Sequence, residues 1–269
     1  MNKYKLVCID VDGTLVNSNK EIPAENIKAL KKACESGIAI AIASGRSPWS
    51  VKALLDELGI SGYGICLNGA YVVDGNIEIL RSEIDHDRVR KISEIVKKYD
   101  VKAFFSAPTI NITNKPIAAE NFNSVVNQKE FIVCSNYDKL KHELNKYDNS
   151  ILKVSILEED TEKYIKIREE FEKTNLFQVE QSDINYLDIN TRGINKFIGV
   201  KKLAEHLNLD LSQVICIGDN ENDIDMIKNC GLGIAMANSC KKLIDICDTV
   251  TLSNDDCGVA QAIYDYVIS

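Results

Sequence analysis

Leu6-Val7-Cys8-Ile9-Asp10-Val11-Asp12-Gly13-Thr14-Leu15 reads as a buried strand that stops at two carboxylates, a glycine turn and a hydroxyl. Four apolar residues in succession suit a strand covered on both faces. Acids are costly to bury unless they are paired or hold a cation, so Asp10 and Asp12 at such a strand end point to metal binding or acid–base chemistry. With side chains alternating at period two, Asp10 and Asp12 share one side and Val11 faces away. A plainer reading of the run alone is a strand followed by an ordinary Asp-Gly turn. Matching partners farther along the chain decide against that plain reading.

Beyond this run, strand and helix patterns alternate. Residues 24–36 carry Ile27, Leu30, Ala33 and Cys34 at helical spacing, and Gly37 stops that helix. Residues 38–43 read as a second buried strand, 51–58 as a helix and 63–67 as a third strand. Short apolar strands alternating with helices imply a parallel sheet covered on both sides. Residues 70–73 and 77–80, separated by Asp74-Gly75-Asn76, read as a hairpin. Between about 83 and 188 the pattern changes. It gives a helix (87–99), strands (101–105 and 110–113), a mixed stretch that includes 131–134, a strand (151–157), a helix (161–173) and two strands (176–180 and 184–189). Adjacent strand pairs suggest an antiparallel sheet with helices, an inserted α+β domain whose Lys- and Glu-rich helix faces are solvated. After Asn190 the first pattern resumes, with helices over 196–207, 223–229 and 239–246 and strands over 214–218, 233–236 and 249–252. The fold class is therefore α/β, a Rossmann-like doubly wound parallel sheet. Residues 1–82 and 189–269 form this core and residues 83–188 the inserted α+β domain.

The 269 residues are enough for one large or two ordinary domains with a sizeable core. A hydrophobic fraction of 45% and a charged fraction of 27% are those of a soluble globular protein. The net charge of −8 argues against nonspecific nucleic-acid binding, which needs clustered Lys and Arg. It leaves room for a small anionic ligand, because local cations and a metal can dominate one site. The N-terminal residues lack a signal-peptide pattern, and the longest uncharged stretch, 61–73, is too short and glycine-rich to cross a bilayer. Nine cysteines without a CxxC, several in apolar surroundings (Cys8, Cys66, Cys216), suit reduced buried thiols. A cytoplasmic location is expected, with no membrane partner. His86, His142 and His206 lie far apart, so a zinc site of His and Cys is not expected.

Three more sites follow core strands or open helices, where an open parallel sheet gathers ligands beyond the strand ends. Ser44-Gly45-Arg46 directly follows the second strand, and a small hydroxyl beside glycine lets backbone N–H groups approach a phosphate. As an isolated tripeptide it is a common turn. Lys196 opens a helix after Gly193-Ile194-Asn195; elsewhere a surface lysine, at this crevice it would neutralise phosphate as a point charge. Gly218-Asp219-Asn220-Glu221-Asn222-Asp223 follows another apolar strand, with Asp219 and Asp223 four apart. A helix N-cap accounts for one of these acids but not for acids at the ends of two strands. The glycine-rich run Gly231 to Ala237 is similar to a dinucleotide-binding turn, but it precedes a strand instead of joining a strand to a helix. Walker A, GxSxG and HExxH patterns are absent.

With these four sites in this order, the chain resembles the haloacid dehalogenase (HAD) superfamily, specifically the Cof-type phosphatases of subfamily IIB, across essentially its whole length. Asp10-Val11-Asp12-Gly13-Thr14 is similar to motif one, Ser44-Gly45-Arg46 to motif two, Lys196 to motif three, and Gly218-Asp219 through Asn222-Asp223 to motif four. Asn68-Gly69-Ala70, the run 235–238 and Gly258-Val259-Ala260 also match. The chain departs from the family pattern at Phe197, Ala237 to Ser239 and Cys257, none of which removes a catalytic group.

The resemblance implies a Mg²⁺-dependent phosphomonoester hydrolase working through an aspartyl-phosphate, with the inserted domain as a cap that sets specificity. Asp10 would be the nucleophile and Asp12 the general acid and base, with Asp12 holding a proton more readily than Asp10. The Mg²⁺ would be held by Asp10, the Asp12 carbonyl and Asp219, supported by Asp223. Val11, Ser44, Gly45, Lys196 and Asn222 would gather the phosphate, and Arg46 and Asn68 would contact cap or substrate. Expected partners are small phosphorylated metabolites (sugar phosphates, flavin mononucleotide or pyridoxal phosphate), and the chain is expected as a monomer or small homo-oligomer. Two alternatives stand beside this reading: a phosphomutase on the same fold, and a non-catalytic phosphate-ligand-binding protein.

Overall fold

A computed structural model describes residues 3–116 and 131–268 of the chain. In chain order the strands are β1 (Leu6–Ile9), β2 (Ala39–Ala43), β3 (Tyr63–Cys66), β4 (Tyr71–Asp74), β5 (Ile77–Arg81), β6 (Lys102–Ser106) and β7 (Asn111–Thr113). They continue as β8 (Phe131–Val133), β9 (Lys153–Leu157), β10 (Phe177–Asp183), β11 (Tyr186–Thr191), β12 (Val214–Gly218), β13 (Leu232–Ala235) and β14 (Thr249–Val250). The helices are α1 (Ala24–Glu35), α2 (Pro48–Leu58), α3 (His86–Tyr99), α4 (Tyr137–Lys146) and α5 (Thr161–Thr174), then α6 (Lys196–His206), α7 (Ile224–Asn229), α8 (Lys241–Ile244) and α9 (Gly258–Tyr266).

Among the described residues the strands form two sheets. The first runs β14-β13-β12-β1-β2-β3-β4-β5, parallel up to β3 and antiparallel through the β4–β5 hairpin. This is the doubly wound α/β fold expected from the alternation. Both faces of its central strands are buried, which is why β1, β2 and β12 are apolar throughout. Val7, Ile9, Ile40, Ile42, Ile215 and Ile217 pack into one core with residues of α1, α2 and α9. Leu6, Cys8, Ala41, Ala43, Val214 and Cys216 pack into the other with residues of α6, α7 and α8. The chain reverses its winding direction at β1, whose neighbours are β2 and β12, and ligand crevices form at such points.

The second sheet, β10-β11-β9-β6-β7-β8, is antiparallel except for β7–β8. One face buries Ala103, Phe105, Val154, Ile156, Leu187 and Ile189 beneath α3, α4 and α5. The period-two alternation turns Lys153, Ser155, Asp188 and Asn190 to the other face, and all four are nonetheless buried.

Several elements differ from the sequence reading. Helix α4 occupies part of the region read as mixed. Its N-cap Asn136 accepts a bond from the Lys139 N–H, but only Leu140 and Leu144 are buried, too few for a clear helical period. Residues 117–130 of that mixed stretch lie outside the described residues. Helix α2 starts three residues earlier than read, because Pro48 suits a first helical position. Residues 223–229 divide into a 3₁₀ turn (Glu221–Asp223) and α7. Helix α9 begins at the Gly258 match and lies beyond the elements expected from the sequence. All nine cysteines are free thiols. No helix among the described residues is long and apolar enough to cross a membrane.

Candidate active site

Strand β1 ends at Ile9, and the next residue continues its pairing, the Asp10 N–H donating to the Ile217 carbonyl at 3.0 Å. The chain then turns sharply at Gly13, which has φ +84° and sits against the Asp219 carboxylate so closely that a Cβ would collide with it. The glycine thereby brings two strand ends together. Thr14 Oγ1 donates to Asp219 Oδ1 at 2.7 Å, tying the first acidic loop to the fourth. Asp10, Asp219 and Asp223 each present an oxygen within 4.8 Å of the others.

Lys196 is the first residue of α6, whose N-cap Asn195 accepts from the Ile198 N–H. It is wholly buried, and its Nζ donates to Asp10 Oδ1 at 2.6 Å and Asp223 Oδ1 at 2.7 Å. Burial disfavours its charge, but Asp10 and Asp223 outweigh this and hold the ammonium above the ordinary lysine value. The other Asp223 oxygen accepts from the backbone N–H groups of Asp219 (3.0 Å) and Asn220 (3.1 Å), so this carboxylate shapes the loop as well as pairing the lysine.

Burial raises the Asp10 carboxyl well above the ordinary aspartate value, opposed by Lys196 and reinforced by Asp223 and Asp219. Asp219 is pushed up to about 7, by burial first and Asp223 second, with Thr14 and Lys196 opposing. Three carboxylates thus meet one ammonium. An all-oxygen set with this excess of negative charge fits a hard divalent cation such as Mg²⁺ and offers nothing to a soft metal.

Asp12 lines the same cavity as Asp10. Its carboxylate turns to Arg46, which grips it through Nε–Oδ2 (2.9 Å) and Nη2–Oδ1 (2.7 Å), with Lys20 at 3.6 Å. Burial acts to raise its carboxyl, but the Arg46 bonds and charge, helped by Lys20 and Lys196, hold it below the ordinary value. The expected order of the two acids rests on a cation at Asp10; the protein groups alone shift Asp10 upward and, in the opposite sense, Asp12 downward. A bidentate guanidinium pair is the physical reason for the downward shift. Ser44 is buried beside them, and its Oγ accepts from the Arg46 N–H at 3.2 Å.

Asn68 and Asn222 also reach this crevice, Asn222 Nδ2 donating to Asn68 Oδ1 at 3.4 Å. Leu67, Asn68 and Gly69 all have positive φ, an uncommon backbone that aims Asn68 out of the first sheet. Its Nδ2 donates to Asp188 Oδ2 at 2.8 Å, and Asn190 Nδ2 donates back to the Leu67 carbonyl at 3.1 Å. Lys153, Ser155 and Asp188 of the second sheet were missed by the sequence reading. They close a cavity of about 260 Å³ that also has Asp10, Asp12 and Ser44 on its wall. A neighbouring cavity of about 430 Å³ shares Asp12, Gly45, Arg46 and Lys153 with it and is walled farther out by Trp49, Leu54 and Phe104.

The arrangement supplies a buried carboxylate, a second acid beside it, cations and a small enclosed space, which is what displacement at a phosphate needs. Comparison with known proteins agrees. The family profile described as haloacid dehalogenase-like hydrolase matches residues 7–263. The chain is 29% identical to the 5-amino-6-(5-phospho-D-ribitylamino)uracil phosphatase YcsE of Bacillus subtilis over 98% of this chain and 96% of that one. It is 30% identical to the putative phosphatase YxeH of Bacillus subtilis over 99% of both chains. A solved haloacid dehalogenase-like hydrolase from B. subtilis superposes with a TM-score of 0.86 at 26% identity, covering 97% of this chain and 99% of the other. The chain belongs to the haloacid dehalogenase-like hydrolases and is an enzyme of their phosphatase type.

Proposed function

We propose that the chain hydrolyses small phosphomonoesters in a Mg²⁺-dependent reaction through an aspartyl-phosphate on Asp10, with the six-stranded unit acting as a cap over the eight-stranded core. The observation that carries this is the buried set of Asp10, Asp219 and Asp223 around Lys196 at the turning point of the sheet. Relatives named as phosphatases of a ribitylaminouracil phosphate favour a phosphorylated metabolite of that size range.

Asp10, Asp219 and the Asp12 carbonyl would hold the metal, with Asp223 as support. When bound, the metal supplies positive charge to the phosphate oxygens and keeps Asp10 ionised. The Asp10 carboxylate attacks phosphorus, forming an acyl-phosphate bond as the ester P–O bond breaks. Asp12 delivers a proton to the departing oxygen, then takes one from the water that attacks the aspartyl-phosphate. Lys196 and the Ser44 hydroxyl hold phosphate oxygens through both displacements, with backbone N–H groups of Val11 and Gly45 and the Asn222 amide completing the cradle. Because Asp12 starts against Arg46, it must leave that guanidinium to meet the ester oxygen, and Arg46 then becomes available to the substrate. The cap closes over the leaving group and excludes water.

The experiment is phosphate release from a panel of phosphomonoesters, with Mg²⁺ and with EDTA, alongside Asp10→Asn. Release that needs the metal and disappears in the variant supports the proposal. No release from any ester with Mg²⁺ present overturns it.

A further inference from the structure

Lys153 reaches from β9 into the space between the two sheets, and its side chain is 8% exposed. Its Nζ donates to Asp188 Oδ2 at 3.0 Å. Asp188 is otherwise well served: Ser155 Oγ donates to Oδ1 at 2.6 Å and Asn68 Nδ2 to Oδ2 at 2.8 Å. Burial acts to raise this carboxyl, but Lys153 and these bonds hold it below the ordinary aspartate value, so it stays charged. The ammonium is less fully used. It has three N–H donors and, among the described residues, Asp188 as its one acceptor. Unspent donors on a buried cation are costly unless a ligand takes them.

Its position says which ligand. Lys153 borders both cavities, the one holding Asp10 and the one walled by Trp49 and Phe104. It also sits directly over the phosphate-side loop: a Cβ on Gly45 would lie 2.9 Å from its Nζ. A phosphate on Asp10 therefore places the first atoms of the leaving group beneath this ammonium. The charge of Lys153 is already balanced by Asp188. A neutral oxygen suits the free donors best.

Resting on the proposed phosphatase function, we propose that Lys153 is a specificity-determining residue: it donates to a hydroxyl on the leaving group next to the ester, selecting phosphates of hydroxylated chains over phosphates of simple phenols.

The test compares kcat/KM for sorbitol 6-phosphate with that for phenyl phosphate and for the sorbitol ester lacking the hydroxyl next to its phosphate-bearing carbon. Losing one hydrogen bond to a charged donor is expected to lower the ratio to each comparison ester about tenfold or more. In the wild-type protein, the deoxy ester should therefore be the poorer substrate by that factor. Lys153→Met should shrink the preference for sorbitol 6-phosphate over phenyl phosphate by the same factor, and Lys153→Arg should restore most of it. Because Lys153→Met leaves Asp188 buried without its cation, K153M/D188N is measured too; it removes both charges and must show the same change in ratio. A general structural defect would lower all esters together. Ratios that move less than about threefold in the wild-type comparison or in the double variant overturn the assignment of Lys153 while the phosphatase function stands. Absence of phosphate release from every ester with Mg²⁺ overturns both.

Discussion

Arg168 on α5 grips Glu221, in the loop that carries Asp219 and Asp223, through two parallel bonds of 3.0 Å. The Gln181 N–H donates to the same carboxylate at 3.2 Å, and Asn220 Nδ2 reaches the Ser182 carbonyl at 3.3 Å. The proposed cap is thus fastened to the loop that supplies the acids, so closure and site geometry are linked. Both members of the pair are partly buried, which makes the contact stronger than a solvated ion pair. Arg168→Met and Glu221→Gln should each lower the melting temperature, and R168M/E221Q should lose less than their sum, a coupling of about 1 kcal/mol. Strictly additive losses in urea or thermal unfolding would show that the clasp contributes nothing.

The Arg46 grip on Asp12 should be visible in the pH profile. Arg46 depresses the Asp12 carboxyl, so Arg46→Met moves the limb that reports Asp12 to higher pH. Arg46→Lys keeps a charge but not the fork and moves it less. A profile of kcat/KM that stays in place in both variants would mean the pair does not govern Asp12.

The two acids of the first motif should fail differently. Asp10→Asn removes the attacking carboxylate, and turnover should fall by about 10⁴ or more. Asp12→Asn retains the nucleophile but lacks the proton donor and acceptor, so phosphoenzyme should accumulate or turn over slowly. Rapid-quench detection of a phosphorylated chain separates the two, and full activity in either variant contradicts the scheme.

Glu180 on β10 is buried facing the core. Burial dominates its titration; the Gln178 bond and Lys196 oppose it, Asp225 and Asp188 reinforce it, and the carboxyl is pushed up to about 8. Between the ordinary value of 4.5 and about 8, the folded chain binds more protons than the unfolded one. This contribution to stability is therefore full below the ordinary value and is lost as the pH rises towards 8. Glu180→Gln should gain on the wild-type protein across that window, by up to about 5 kcal/mol in unfolding free energy. Parallel stability curves from acid to mildly alkaline pH would rule this out.

Asp10, Ser44, Lys196, Asp219 and Asp223 were legible because each stands at a strand end or helix start, where local pattern marks the position. The parallel sheet was legible for the same reason, since strands such as 38–43 and 214–218 are apolar on both faces. Helix α4 was not, because a helix that buries two leucines leaves little periodic signal.

In the second sheet the alternation of Lys153-Val154-Ser155-Ile156 correctly separates two faces but does not say what covers the polar one. Lys153, Ser155 and Asp188 would be solvated on an isolated sheet; against the first sheet they are buried, and Asp188 meets Asn68 from 120 residues away. The partner of Asp12 was hidden likewise, because Arg46 lies on another strand end and only the packing of β1 beside β2 brings it near. Local hydrophobic period and residue type were enough to establish the α/β core and the identities of the chemical groups. Packing settled which groups lose water and which charge faces which, because desolvation and Coulomb interaction depend on distances between segments far apart along the chain.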